Sequence, residues 1–319
     1  MKIYDEVKEA STIGISGHLR PDGDCIGSAM GLYLYLLKVC PGADIQVFLE
    51  KPADIFSCIS RIDEIRTDFT TDVKQFDVFI ALDTAKDRLG EAEILFDQAK
   101  KRINIDHHVS NSGCGDVNYL RPDASSTSEL IYEVIDDKSQ LDEEIAKALY
   151  IGMVHDTGVF QYSNTSPSTL RAAAELISFG FDFSELIDKT FYEKTYVQNQ
   201  ILGRALLESI LFMDGKCIVS MVDKKTMNFY QAKPHDLEGI VSQLRSTKGV
   251  ECAIVMYQID TLEYKVSLRS NGKVDVAKVA AFFGGGGHVR AAGVTMQGTF
   301  HDIVNNLSAR IALQLSKKA

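Results

Sequence analysis

Four short polar clusters carry the side chains of this chain that can do chemistry. They are His18-Leu19-Arg20-Pro21-Asp22-Gly23-Asp24, Asp83-Thr84, Asp106-His107-His108 and His155-Asp156-Thr157-Gly158. Between them they hold the carboxylates of Asp22, Asp24, Asp83, Asp106 and Asp156, and four of the chain's seven histidines. Gathered in one place, so many carboxylates repel one another unless positive charge lies among them. No run of Lys or Arg accompanies them, so divalent cations are the natural compensation. An oxygen-rich set with a few imidazoles suits Mn²⁺, Mg²⁺ or Fe²⁺, and the absence of thiolates speaks against structural zinc. Six or so ligands are too many for one ion but suit two, roughly 3.5–4 Å apart as in two-metal phosphoryl-transfer sites. Taken singly, each cluster has a plainer reading. A His beside an Asp is ordinarily a capping or surface pair, and an Asp after a strand is ordinarily a turn residue.

The elements around the clusters remove the plainer reading. Thr12–Ser16, 45–49, Val78–Leu82 and 102–105 read as short buried strands, separated by helical patterns such as 24–39. Continuous apolar runs of this length point to a mostly parallel sheet covered on both faces. Three clusters follow directly on such strands. Parallel strands deliver their carboxyl ends to one edge of an open sheet, and ligands bind there. The clusters therefore converge in space, and the fourth, at the end of an apolar helix, closes the ring. Helical patterns follow at about 126–136, 142–155, 168–179, 183–191 and 195–209. Ser125, Ser126 and Thr127 are N-cap candidates for the first of these. From about 211 strand patterns (216–221, 250–259, 262–269) mix with helical ones (237–244, 275–282, 301–316), as in an α+β domain. The expected fold is α/β: a catalytic domain over 1–195 built on a mostly parallel sheet flanked by helices, a linker helix over 196–210, and a smaller α+β domain over 211–319.

The bulk numbers bound the function. The 319 residues are 45% hydrophobic and 24% charged, ordinary for a folded protein of two domains. No apolar run is long enough to cross a membrane, and the N-terminus has no apolar signal core, so a cytoplasmic protein is expected. The six cysteines form no C-x-x-C pair and read as reduced, mostly structural thiols. A net charge of −10 argues against sequence-independent binding of long nucleic acid, duplex or single-stranded, but not against a small anion at a cation-loaded site.

The clusters in their order resemble the four motifs of the DHH phosphoesterases: His18-x-x-Pro21-Asp22-x-Asp24-x-x-Gly27-Ser28, Asp83-Thr84-Ala85, Asp106-His107-His108 and Asp156-Thr157-Gly158. Gly284-Gly285-Gly286-Gly287-His288-x-x-Ala291-Ala292-Gly293 is similar to the signature of the DHH-associated C-terminal domain. The resemblance spans about residues 11–317. Length and layout look closest to the NrnA-type oligoribonuclease/pAp phosphatases and to the stand-alone cyclic-dinucleotide phosphodiesterases. It implies one metal held by His18, Asp22 and Asp83 and another by Asp24, Asp83, His107 and Asp156, so that Asp83 bridges the two. Asp106 would orient its neighbours, and His108 would face the substrate phosphate. Arg269, the backbone of Gly284, Gly285, Gly286 and Gly287, and His288 would bind substrate. His155 receives no role and reads as a helix-end packing residue.

What the resemblance implies is hydrolysis of short oligoribonucleotides, of 3′-phosphoadenosine 5′-phosphate (pAp), or of both, by a metal-bridging hydroxide. Mn²⁺ is the first expectation, with Mg²⁺ or Fe²⁺ as alternatives. Cleavage of cyclic di-AMP or pApA is the alternative within the class, and a nucleotide sensor that binds without cutting is the alternative outside it. Manganese inorganic pyrophosphatases share the metal half, but the Gly284–His288 segment argues against them. A RecJ-like exonuclease lacks the length and the basic groove here. A homodimer is the expectation from class statistics.

Overall fold

The computed structural model describes residues 1–316. Two compact units divide at Glu193/Lys194. The first begins with α1 (Ile3–Val7), β1 (Thr12–Ser16), α2 (Gly23–Val39), β2 (Asp44–Phe48), β3 (Val78–Leu82), α3 (Ala92–Gln98), β4 (Lys101–Asp106) and β5 (Val117–Leu120). Four helices follow: α4 (Thr127–Val134), α5 (Glu143–Thr157), α6 (Pro167–Ile177) and α7 (Phe183–Ile187). The strands form a five-stranded sheet in the order β2-β1-β3-β4-β5, parallel throughout. The expected architecture is therefore present. Strand order reverses between β1 and β3, the point at which open α/β sheets bind ligands.

Apolar residues on both faces explain why the sheet is buried. Ile13, Ile15, Val47, Ile80, Leu82, Ile103 and Ile105 pack beneath α2, α4, α5 and α6. Phe48, Phe76, Phe79, Ala81 and Phe96 form a second cluster on the opposite face, with α3. There the Phe79 ring covers Gly14, whose absent Cβ would lie 2.3 Å from it.

Helix α2 is almost wholly buried and starts at Asp22, whose Oδ1 accepts from the amides of Asp24 and Cys25. It lies against α5 with almost no side chain between them. A Cβ on Gly27 would come within 2.6 Å of the Ala148 carbonyl oxygen and 2.8 Å of the Gly152 amide. One on Gly152 would come within 1.9 Å of Ser128 Oγ and 2.8 Å of Asp24 Oδ1. Both glycines are thus spacers that set how near α5 and α4 come to the start of α2.

The second unit holds α8 (Tyr196–Leu207), β6 (Ile210–Phe212), β7 (Cys217–Val222), α9 (Lys224–Tyr230), α10 (Ile240–Arg245), β8 (Cys252–Asp260), β9 (Glu263–Ser270), α11 (Val276–Phe282), β10 (Gly286–His288), β11 (Ala291–Gln297) and α12 (Phe300–Leu315). Its six strands run β10-β11-β9-β8-β7-β6, antiparallel except for the β7/β8 pair. Ile254, Val266, Leu268 and Val294 pack one face with residues of α11 and α12. Ile218, Ala253 and Val255 pack the other with α8 and α10, Ile201 and Ala205 of α8 being buried there. Strands β5, β6, β10 and β11 and helices α3 and α9 carry no pattern strong enough to predict. Glycines and alanines make up much of β10 and β11, and β5 is a half-exposed edge.

A Gly27→Ala substitution tests the α2/α5 contact. In an open helix it gains about 1 kcal/mol; here the methyl meets backbone atoms, and overpacking of this kind costs about 1–3 kcal/mol. A lower urea midpoint at unchanged m-value is expected. A midpoint at or above that of the parent protein would show that the helices have room to separate.

Candidate metal centre

The four polar clusters meet at the carboxyl edge of the parallel sheet. His18 lies just past β1, Asp83 just past β3, and Asp106 ends β4 with His107 and His108 behind it. Asp22 and Asp24 come from the N-terminus of α2, and Asp156 from the last turn of α5. Asp83 sits at the centre. Its amide still bonds to the Ile105 carbonyl at 3.0 Å, while its backbone turns left-handed (φ 57°). Such a conformation is uncommon outside glycine and is held only where the surroundings determine it.

Each Asp83 oxygen faces a different set of donors. Oδ2 lies 3.5 Å from His18 Nε2, which is itself 3.6 Å from Asp22 Oδ1. Oδ1 lies 3.5 Å from His107 Nε2, which is also 3.3 Å from Asp156 Oδ2 and 4.0 Å from Asp24 Oδ2. Donor atoms of Asp24, His107 and Asp156 fall within 4.8 Å of one another, as do those of His18, Cys25 and Asp83. The cluster is thus able to hold metal. His107 Nε2 is buried and makes no hydrogen bond, although three carboxylate oxygens surround it. Spacings of this size are long for hydrogen bonds and natural for ligands around one cation with bonds of about 2.0–2.2 Å.

Electrostatics lead to the same place. Burial and the charges of Asp83 and Asp156 push the Asp24 carboxyl well above its ordinary range. Burial, Asp83 and Asp22 push Asp156 up to about 8. Burial opposes a charge on His18, yet its contacts with Asp22 and Asp83 outweigh this and raise it to about 10. Burial holds the His107 imidazole low, against the pull of Asp83. Protons on these groups supply the neutralisation that a cation would otherwise give.

A second layer fixes the donors. Asp24 accepts hydrogen bonds from two amides at the start of α4: Thr127 N–H to Oδ2 (2.6 Å) and Ser128 N–H to Oδ1 (2.9 Å). The Thr127 hydroxyl donates to Asp83 Oδ1 at 3.0 Å. Asp106 is fully buried. Its Oδ1 takes the His108 amide (3.0 Å) and faces His108 Nδ1 (2.7 Å), while Oδ2 accepts from Asn111 Nδ2 (2.6 Å). Burial opposes the Asp106 charge, but these bonds hold the carboxyl below its ordinary range, and the Asp106 contact raises His108. Asn111 also reaches the Thr84 carbonyl and Asn104 Oδ1, tying the loop after β4 to the loop after β3. At the other side Asn164 Nδ2 donates to the carbonyls of Asp156 and Ser125. His155 is packed between Phe56 and Phe191, ring centroids 5.1 and 5.5 Å away, and burial lowers it to about 4.

In the sequence Thr127 stands out only as a capping candidate, and Ser128, Asn104, Asn111 and Asn164 do not stand out as site residues. Asn111, five residues past Asp106, carried a weak signal, and Asn104 inside a strand carried none. The six cysteines had been set aside as structural thiols, yet Cys25 lies in reach of His18 and Asp83. Arg269, Gly284–Gly287 and His288 all fall in the second unit, on or beside β9 and β10.

Against known families, residues 12–153 match the DHH family N-terminal domain and residues 214–314 the DHHA1 domain. The chain carries a DHH domain followed by a DHHA1 domain. It is 29% identical over 304 residues to the bifunctional oligoribonuclease and PAP phosphatase NrnA of Thermus thermophilus, spanning 93% of this chain and 89% of that protein. The NrnA of Bacillus subtilis is 28% identical over 290 residues, 89% of each chain. The crystal structure of an exopolyphosphatase-related protein from Bacteroides fragilis superposes with a TM-score of 0.89 at 27% identity, covering 99% of this chain and 96% of that one. Among the described residues no helix is long and apolar enough to cross a membrane.

The crowding makes a pH prediction for the metal-free DHH domain. From 3.8 up to about 8 the folded state holds a proton on Asp156 that the unfolded chain has lost, so stability falls as pH rises through that window. His18 acts in the same sense between 6.5 and about 10. His155, lowered to about 4, and His107, also held low, act in the opposite sense below 6.5, so in chelator the melting temperature should drop from about pH 6.5 to about pH 8, and Mn²⁺ should restore it most at the upper end. A melting temperature flat across this range and indifferent to Mn²⁺ would contradict the crowding.

Proposed function

We propose that the chain is a two-metal phosphoesterase that hydrolyses phosphate esters in short oligoribonucleotides and in pAp. The observation that carries this reading is Asp83, a buried carboxylate with each oxygen turned to a different set of donors. The NrnA relatives, aligned over nearly the whole chain, support short oligoribonucleotides and pAp as its substrates. In this reading His18, Asp22 and Asp83 hold one ion, and Asp24, Asp83, His107 and Asp156 the other. Mn²⁺ is the first candidate, because the donors are oxygen-rich with two imidazoles. Two such ions, when bound, supply an activated water and neutralise charge on the phosphate.

The chain's own groups do the rest. Asp106 takes up Nδ1 of His108 and so fixes the tautomer, leaving Nε2 to meet a phosphate or leaving-group oxygen. Thr127 and Ser128 hold Asp24 and Asp83 in position before any substrate arrives.

Substrate recognition falls to the second unit. His288 pairs with Ala291, which pairs with Arg269, so the three share one face of the sheet. Ala291 between them is small and leaves room for a phosphate, to which an Arg fork binds in bidentate fashion. The glycine run is not a floppy turn. Gly287 lies in the β10/β11 ladder, where a Cβ would fall 2.4 Å from the Ala291 carbonyl. Gly285 lies as close to Gly293, whereas Gly286 faces open space. The amides of Gly284 and Gly285 donate to the Ala281 and Ala280 carbonyls of α11, which leaves Gly286 and Gly287 as the exposed positions at which backbone could approach an anion.

The deciding experiment incubates the protein with Mn²⁺ and, separately, pAp, a 5′-phosphorylated dinucleotide, cyclic di-AMP and a long RNA. Turnover of the first two, slow action on the long RNA and loss of all activity in Asp83→Ala are expected. Preferential cutting of cyclic di-AMP would move the protein to the signalling substrates. Nucleotide binding without turnover would make it a sensor. Removing the clamp on Asp106 by Asn111→Ala should lower kcat by on the order of 10–100-fold with little change in KM. A change confined to KM would instead make Asn111 a substrate contact.

A further inference from the structure

Cys25 is the one element of the metal centre that the proposed hydrolysis does not use. The side chain is fully buried, in the first turn of α2 directly after the donor Asp24. Its Sγ lies within 4.8 Å of donor atoms of both His18 and Asp83. His18 and Asp83 are themselves 95% or more buried, at 5% and 2% exposure. Space for the sulfur comes from Gly17, the residue between β1 and His18. A Cβ there would lie 2.3 Å from Cys25 Sγ, with the Leu82 carbonyl and Leu49 on its other sides.

The distances decide what the sulfur can reach. Zinc sits about 2.3 Å from a thiolate and about 2.0–2.2 Å from imidazole nitrogen or carboxylate oxygen, so two such donors on one ion lie at most about 4.5 Å apart. At a tetrahedral ion the donors stand about 3.5–3.7 Å apart, so the separations here, all within 4.8 Å, close on one with side-chain movement of about 1 Å. Asp22 completes the set, its Oδ1 lying 3.6 Å from His18 Nε2. The first pocket thus holds one nitrogen, one carboxylate and one sulfur within reach of one another, with the more exposed Asp22 beside His18 as a further carboxylate. Hard ions such as Mn²⁺ and Mg²⁺ have little use for the sulfur and would keep positions open for water and substrate. Thiophilic dications prefer it.

We propose that Cys25 is a fourth protein ligand for the first ion and makes that pocket a trap for thiophilic dications such as Zn²⁺. Coordination exchanges the thiol proton for the ion, the proton leaving to water; no oxidation is involved. The inference rests on the metal-centre reading above.

The test uses Co²⁺ as a spectroscopic probe in the full chain, comparing the parent protein with Cys25→Ala. Expected for the parent is a sulfur-to-cobalt charge-transfer band in the near ultraviolet. It should be absent from Cys25→Ala, while both proteins keep the visible cobalt bands of a loaded site. Equilibrium dialysis against mixed Zn²⁺ and Mn²⁺ should show the zinc preference falling by on the order of 10–100-fold in the variant. Should Cys25→Ala fail to fold, Cys25→Ser, which keeps the side-chain size, serves in its place. A cobalt spectrum without the charge-transfer band, or one identical in parent and variant, would overturn the proposal, as would an unchanged zinc preference. Neither readout uses hydrolysis. An inactive protein that shows the band retains the trap and loses only the phosphoesterase reading, whereas a protein that takes up no cobalt loses both.

Discussion

Repulsion among carboxylates at the β1/β3 edge is the constraint to which the rest of the N-terminal unit answers. Two unit charges 4 Å apart interact by about 4 kcal/mol at an effective dielectric near 20. A few such pairs rival the whole stability of a domain, about 5–15 kcal/mol. Asp24, Asp83 and Asp106 are nonetheless among the most buried polar groups of the fold. They can stay there only because each is held by donors that cannot move: amides of α4 for Asp24, a threonine hydroxyl for Asp83, and an asparagine and a histidine for Asp106. Those donors in turn require α4 and α5 to approach α2 closely, which Gly27 and Gly152 allow. Helix packing, backbone strain at Asp83 and the polar network are consequences of one electrostatic demand.

The second unit answers a different demand. Its sheet alternates cleanly in β9 and β11, with Tyr264, Val266, Leu268, Ala292, Val294 and Met296 buried and Lys265, Ser267, Arg269, Ala291, Gly293 and Thr295 turned to the other face. Helices α8 and α10 cover that other face over β7 and β8. Over β9, β11 and β10 it stays partly or fully exposed, and its residues are small or polar. A face of that composition contributes little to stability and is suited to recognition, since backbone and guanidinium groups can meet an anion there without displacing bulky side chains.

Legibility in the sequence followed the strength of the physical signal. β3 reads clearly because it is buried on both faces and apolar throughout, and β1 because Ile13 and Ile15 stand in a short buried run. The same burial made the polar residues at their ends conspicuous, and the convergence of His18, Asp83 and Asp106 followed from sheet topology alone. Strands β10 and β11 did not read as strands, because glycine and alanine give no β signal when the partner strand supplies the packing. The supporting layer was legible only in part. A capping Ser or Thr is visible as such, but that the amides behind Thr127 and Ser128 serve a carboxylate over 100 residues earlier is a tertiary fact. The neighbourhood of Cys25 is hidden for a related reason. Cysteine is among the most buried residue types, and its neighbourhood with His18 across a chain reversal has no periodic signature.

Charge explains why such a centre would favour small substrates. Two dications all but cancel the five carboxylates gathered around them, so a loaded site no longer repels a phosphate. The rest of the chain keeps a smaller excess of acidic over basic groups, because five of its 44 Asp and Glu belong to the centre and 34 Lys and Arg face the remainder. A mononucleotide or dinucleotide would present few phosphates beyond those the neutralised centre takes. Each further nucleotide brings a phosphate that must lie against the acidic remainder of the surface, where no counterion release repays it. Selectivity for short substrates then needs no steric stop, and it weakens as salt screens the surface over a Debye length of about 8–10 Å.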